Sequence, residues 1–168
     1  MDKLVEWRKR NNYNEESFKR ALRRTMLAVW MRDQIAAGVG DSVEQVHVRQ
    51  IRVNDEGTAS QIQAQLQSGV DFATLATRVD PLTKGELGWF PRGYLIQPAV
   101  DEAAFNLQPG QISGMIKTDI GYHFIQVIER DPKHLLSPDA KLFLQHQALE
   151  QWLKQKRSES RIEILLPT

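Results

Sequence analysis

The stretch ISGMIKTDIGYHFIQVIER, residues 112–130, decides the architecture. Its two halves, Ile112–Thr118 and Tyr122–Arg130, are rich in β-branched and aromatic residues, and the Asp119-Ile120-Gly121 connection between them is short enough only for a tight reversal. The reading is an antiparallel hairpin. Upstream, Pro109-Gly110 marks a turn, and Ala99–Leu107 has the spacing of a short helix. Downstream, Asp131-Pro132 is expected to end the second strand, because proline cannot donate to a β-ladder. Ser137-Pro138 then offers an N-cap and a first-turn proline for a helix running to about residue 158, with Leu142, Leu149, Trp152 and Leu153 as its apolar stripe.

Further from the hairpin, Val46–Val53 reads as another strand, followed by the turn residues Asn54, Asp55 and Gly57. A helix comes next, facing inward through Ala59, Ile62 and Leu66 and closed by Gly69. Asp71 caps a second, with Phe72, Leu75, Ala76 and Val79 at i, i+3, i+4 and i+7. Residues 80–98 hold three prolines and three glycines among bulky apolar groups, the composition of an ordered loop that carries function. At the N-terminus a short helix over Leu4–Arg10 precedes a long one from an Asn14 cap to Ala37, on which Phe18, Leu22, Met26, Val29 and Trp30 recur at helical spacing. The class is α+β with an antiparallel sheet.

Composition narrows the function. At 168 residues and 41% hydrophobic content, the chain builds one core with attachments. With 22 basic and 21 acidic residues, the net charge of +1 gives no global attraction to nucleic acid, which is not an expected partner. Lys3, Arg8, Lys9, Arg10, Lys19, Arg20, Arg23 and Arg24 form a basic N-terminal patch that reads best as a solvated helix face. The absence of cysteine excludes disulfides and thiolate chemistry, and His134 and His146 lack ligand-like spacing, so no metal is expected. MDKLVEWRKR lacks the apolar centre of a signal peptide, and no apolar run approaches a membrane span. The expectation is a soluble chain, and a piece of a longer exported or anchored protein would read the same.

Five pieces in order, VRQIRV (48–53), GVDFATLAT (69–77), GELGWFPRG (85–93), VDEAAFNLQPGQIS (100–113) and IKTDIGYHFIQV (116–127), resemble the parvulin family of peptidyl-prolyl isomerases. The resemblance implies a four-stranded antiparallel sheet surrounded by helices, with no cofactor. It divides the chain into a helical arm at 1–44, the isomerase domain at 45–131, and a C-terminal helix and tail at 132–168 that pack with the arm. The flanking helices are similar to the arms of SurA- and PrsA-like foldases, which implies an extracytoplasmic location and unfolded or proline-containing polypeptide clients.

The family's reaction turns an amide whose partial double bond raises a barrier of roughly 18–20 kcal/mol. It needs no nucleophile, only an apolar seat for the proline and polar groups that favour the twisted amide. The resemblance places the catalytic set at His123, Thr118, Asp80 and Gln50, and the substrate groove at Leu87, Phe90, Leu95 and Val100. For Asp80 the other reading is a loop or helix-end carboxylate, and for all the groove residues it is ordinary core, a reading compatible with the groove at Leu87 and Phe90. Gln50 stands where the family carries its first-strand histidine, and Val100 where it carries an aromatic wall. Both substitutions imply reduced activity, or a non-catalytic chaperone module that keeps the shape. His47 lies on the opposite strand face from residue 50 and does not replace the missing histidine. Asn54, Asp55 and Glu56 stand where phosphate-directed relatives carry basic residues, so no phosphopeptide selectivity is expected.

Overall fold

The structure is a computed structural model, and it describes residues 3–161. In chain order the elements are α1 (Lys3–Arg10), α2 (Glu15–Ala37), β1 (Ser42–Val53), α3 (Glu56–Gln67), α4 (Phe72–Val79), β2 (Glu86–Pro91), α5 (Pro98–Asn106), β3 (Ile116–Thr118), β4 (Gly121–Leu135) and α6 (Pro138–Ser158). The chain divides into two compact units, one made by Asp41–Lys141 and the other by the residues before and after it.

In the Asp41–Lys141 unit, four strands form a wholly antiparallel sheet in the order β2-β1-β4-β3. Long β1 and β4 lie at its centre. Val46, Val48, Phe90, Ile125 and Val127 pack under Val100, Ala104 and Phe105 of α5 on one face. On the other, Ile51, Val53 and Phe124 pack under Ala59 and Ile62 of α3 and Phe72, Leu75 and Ala76 of α4. The two-residue alternation of a strand separates these sets. The caps are local and follow the sequence: the carboxylates of Asp55 and Asp71 accept from the amides of Thr58 and Thr74, each at 2.8 Å.

Four expectations are corrected. The Gly- and Pro-rich stretch 80–98 contains a strand, β2, held by its pairing with β1 from Gln45↔Pro91 to Arg49↔Glu86. The strand expected over 112–118 is reduced to Ile116–Thr118, with a lone bridge from Ile112 to Gln126. β4 does not stop at Pro132 but continues to Leu135. Its register against β1 steps between Val43↔His134 and Gln45↔Asp131, so the proline sits in a bulge that requires no donor. Val79, placed on the inner stripe of α4, is 39% exposed.

In the other unit, Asn14 caps α2 through a reciprocal pair of bonds with Ser17. Trp7, Tyr13 and Phe18 cluster with ring centroids about 6 Å apart, which joins α1 to the start of α2. Gln145 Nε2 donates to the Ala36 carbonyl at 3.3 Å, linking α6 to the end of α2. The apolar spacing on α2 marks exposed surface: Leu22, Met26, Leu27, Val29 and Trp30 are all exposed, as are Leu142 and Leu153 of the α6 stripe. The tail expected to pack with the arm lies at 162–168, outside the described residues.

Candidate active site

The α5 face of the sheet is covered only at one end. At the other, residues 50 and 52 of β1 and 123 of β4 are left beneath a hollow of about 380 Å³. Its wall is Tyr94, Leu95, Ile96, Gln97 and Val100, and Ile120 of the β3–β4 hairpin closes the far side. The lining is mainly apolar side chain, the surface a proline ring prefers.

His123 is fully buried at the floor, 1% exposed, and both ring nitrogens are bonded. Gln50 Nε2 lies 2.8 Å from Nδ1, and Thr118 Oγ1 lies 2.8 Å from Nε2. The Thr118 hydroxyl in turn donates to the Gly121 carbonyl at 3.1 Å. One assignment satisfies the whole chain: the Gln50 amide donates to Nδ1, and Nε2–H donates to Thr118. The ring is then neutral. Burial, followed by the charge of Arg52, holds its pKa below the ordinary histidine range, while Asp119 opposes them weakly. A proton on Nδ1 would also face the amide donor of Gln50.

Backbone geometry fixes these side chains. Gly85, at φ +75°, approaches β1 so closely that a Cβ there would sit 2.2 Å from the Gln50 carbonyl oxygen, and its own carbonyl accepts from the Gln50 amide at 2.7 Å. Gly121, at φ +126°, also leaves no room for a Cβ, which would sit 2.5 Å from the Val53 carbonyl oxygen, and it turns the chain so that Thr118 meets His123.

Asp80 lies elsewhere. Its carboxylate accepts from the amides of Leu82 and Thr83, at 3.1 and 3.2 Å, and from the Thr83 hydroxyl, so its hydrogen bonds close a local turn and do not reach His123. These bonds hold its pKa below the usual carboxylate range, led by that of the Thr83 hydroxyl. Asp80 and Leu87 line a second hollow of about 320 Å³ together with Val79, Thr83 and Gly85, and Gln50 and Arg52 border both hollows. Among the expected groove residues, Leu95 and Val100 line the first hollow, whereas Phe90 is buried in the core against Phe105. His47 is on the far face, its Nε2 3.0 Å from Glu86 Oε2.

Sequence reasoning did not identify Asp101 or Arg52 as site residues. Asp101 is buried, and its two carboxylate oxygens accept from the amides of Gly93 (2.9 Å) and Leu95 (3.2 Å), tying the wall of the hollow to the first turn of α5. The available signal was an aspartate just inside a helix that begins with proline.

A four-stranded antiparallel sheet that seats a hydrogen-bonded histidine under an apolar hollow defines a parvulin-type domain. Residues 47–129 match the PPIC-type PPIase, or rotamase, domain family, and this segment is a domain of that family. A foldase protein PrsA from Geobacillus sp. strain WCH70 is 33% identical over 126 residues, covering 72% of this chain and 45% of that protein. A chaperone SurA from Nitrosococcus oceani is 34% identical over 120 residues, covering 64% of this chain and 28% of that protein. The crystal structure of a peptidylprolyl isomerase, PrsA, from Bacillus cereus superposes with a TM-score of 0.63 at 26% identity, covering 97% of this chain and 70% of that one. The chain spans less than half the length of the curated relatives it matches.

Proposed function

We propose that this chain is the isomerase-bearing part of a protein-folding factor, turning Xaa–Pro bonds in unfolded polypeptides. The observation that carries the reading is the chain of hydrogen bonds Gln50–His123–Thr118 beneath the hollow walled by Leu95 and Val100. With both nitrogens occupied and no charge, His123 is no proton donor to substrate. It supplies a rigid, dry floor, and the apolar wall holds the ring while the amide loses its planarity. In this reading His123, Gln50 and Thr118 are the catalytic set. Leu95 and Val100 seat the proline, Asp80 and Leu87 belong to the adjoining hollow, and Phe90 serves the core. Residues 1–44 and 132–168 act as arms around a domain at 45–131. Kinship with PrsA and SurA supports unfolded polypeptide as the client and a location outside the cytoplasm. Among the described residues, no helix is long and apolar enough to cross a membrane.

The test is magnetisation exchange on an Ala-Pro peptide with wild type, His123→Ala and Gln50→His. Acceleration by wild type that falls at least tenfold in His123→Ala is the expected result. No acceleration by wild type, with a gain in Gln50→His, would favour the second reading, a chaperone module with a lapsed active site. That reading draws on the glutamine at position 50 and on the exposed apolar residues Leu22, Met26, Leu27 and Trp30 of α2. Suppression of client aggregation by wild type and Trp30→Ser measures it directly.

A further inference from the structure

Among the described residues, Arg52 is the only charged side chain lining the proline hollow, since His123 is neutral there. It also borders the second hollow, so the two share a wall made by Gln50 and Arg52. Among the described residues Arg52 forms no ion pair. The acids near it are otherwise engaged: Asp55 caps α3, Glu56 accepts from the Tyr122 hydroxyl, and Asp80 closes its own turn. Asp119 reaches His123 only through its field. An exposed, unpartnered guanidinium at the mouth of an apolar seat is a ready fork for a carboxylate.

We propose that Arg52 is a specificity-determining residue that selects peptides with an acidic side chain on the residue before the proline. The inference rests on the reading of the larger hollow as the proline seat. Successive Cα atoms lie about 3.8 Å apart across a trans peptide and about 2.9 Å across a cis one. A residue next to a seated proline therefore lies over the rim of that hollow, where Arg52 stands. The site takes a single negative charge: Arg52 is alone, and the carboxylates of Asp80 and Asp119 nearby oppose a phosphate dianion.

The experiment uses four peptides that differ only in the residue before proline, Glu, Gln, Lys or phosphoserine, with the full chain as wild type, Arg52→Gln and Arg52→Glu. For wild type at low salt, kcat/KM for Glu-Pro is expected to exceed that for Gln-Pro by about two- to fivefold, the yield of an exposed ion pair. Lys-Pro should rank last, and the differences should shrink as salt shortens the screening length. The Glu/Gln ratio falls to one in Arg52→Gln and below one in Arg52→Glu. Equal rates for Glu-Pro and Gln-Pro in wild type, a ratio that survives in Arg52→Gln, or a phosphoserine peptide favoured tenfold over Glu-Pro would each overturn the proposal. If wild type accelerates none of the peptides, the isomerase reading fails by itself. The same ratio is then taken from dissociation constants in an NMR titration, where equal constants or no binding overturn the carboxylate site as well.

Discussion

Arg49 and Arg52 stand three positions apart on β1 and point to opposite faces of one sheet, and each face meets its arginine differently. Each face is covered by helix at one end and bare at the other, and the bare ends lie diagonally opposite. On the far face the bare end is sealed by its own side chains. Glu86 bonds both Arg49 and His47, and Trp89 stacks between His47 and His134 at centroid distances of 5.5 and 4.0 Å. On the near face no described acid pairs with Arg52, and the loop from Gly93 to Gln97 stands up to leave a hollow. The lesson concerns where a sheet keeps a site. Bare strand ends become surface when they carry complementary charges and aromatics, and become a pocket when a neighbouring loop is held upright over them.

The sharpest way to break this contrast is in the covered part. Phe124 and His123 are neighbours on β4, pointing to opposite faces, and both are 1% exposed. Phe124→Ala should cost about 3–5 kcal/mol in chemical denaturation, as a cavity among packed helices does. If that variant unfolds no more easily than His123→Ala, Phe124 does not anchor the covered end of the far face.

Next comes the loop that makes the hollow. Asp101→Ala leaves the Gly93 and Leu95 amides without their acceptor, so a loss of about 1–3 kcal/mol is expected, along with a raised KM for proline peptides. Asp101→Asn keeps one acceptor oxygen and should recover part of both. An unchanged KM in Asp101→Ala would show that the wall stands without this carboxylate.

The smallest effect separates the two sides by pH. The unfolded chain binds a proton on His123 near pH 6.5, whereas the folded ring is held below that value. The contribution to stability is therefore complete above about pH 6.5. It is lost as pH falls through the folded pKa, at no more than about 1.4 kcal/mol per pH unit. Denaturation midpoints from pH 7.5 to 5 should fall more steeply for wild type than for His123→Gln, and parallel curves would contradict a neutral buried ring.

How much of this could be read beforehand depended on range. Asn14, Asp71 and Ser137 were legible as caps because a cap is decided within three residues, whereas Asp55, read as a turn residue, proves to cap α3. β2 was hidden because GELGWFPRG has no strand pattern of its own, and its extended form comes from pairing with β1 some forty residues earlier. The apolar rhythm of α2 correctly gave a helix, but periodicity alone does not say whether the stripe is covered. In the site, His123, Thr118 and Gln50 were reached through family resemblance, since a bond spanning 73 positions leaves no local trace. Asp80 had a sufficient local explanation in its turn. Arg52 was read only as part of the strand VRQIRV, and its meaning depends on having no ion-pair partner among the described residues.

Where the domain begins and ends has its own consequence. Ser42 is paired with Leu135, and the Leu136 amide donates to the Asp41 carbonyl at 2.8 Å, so entry and exit leave through one rung of a ladder. Tying together the ends of a long unfolded insert carries an entropic penalty that grows with its length. Once this unit has folded, residues 41 and 136 are held at the separation of paired strands, roughly 5 Å, so the sheet itself closes the loop that the unfolded chain closes only at an entropic cost.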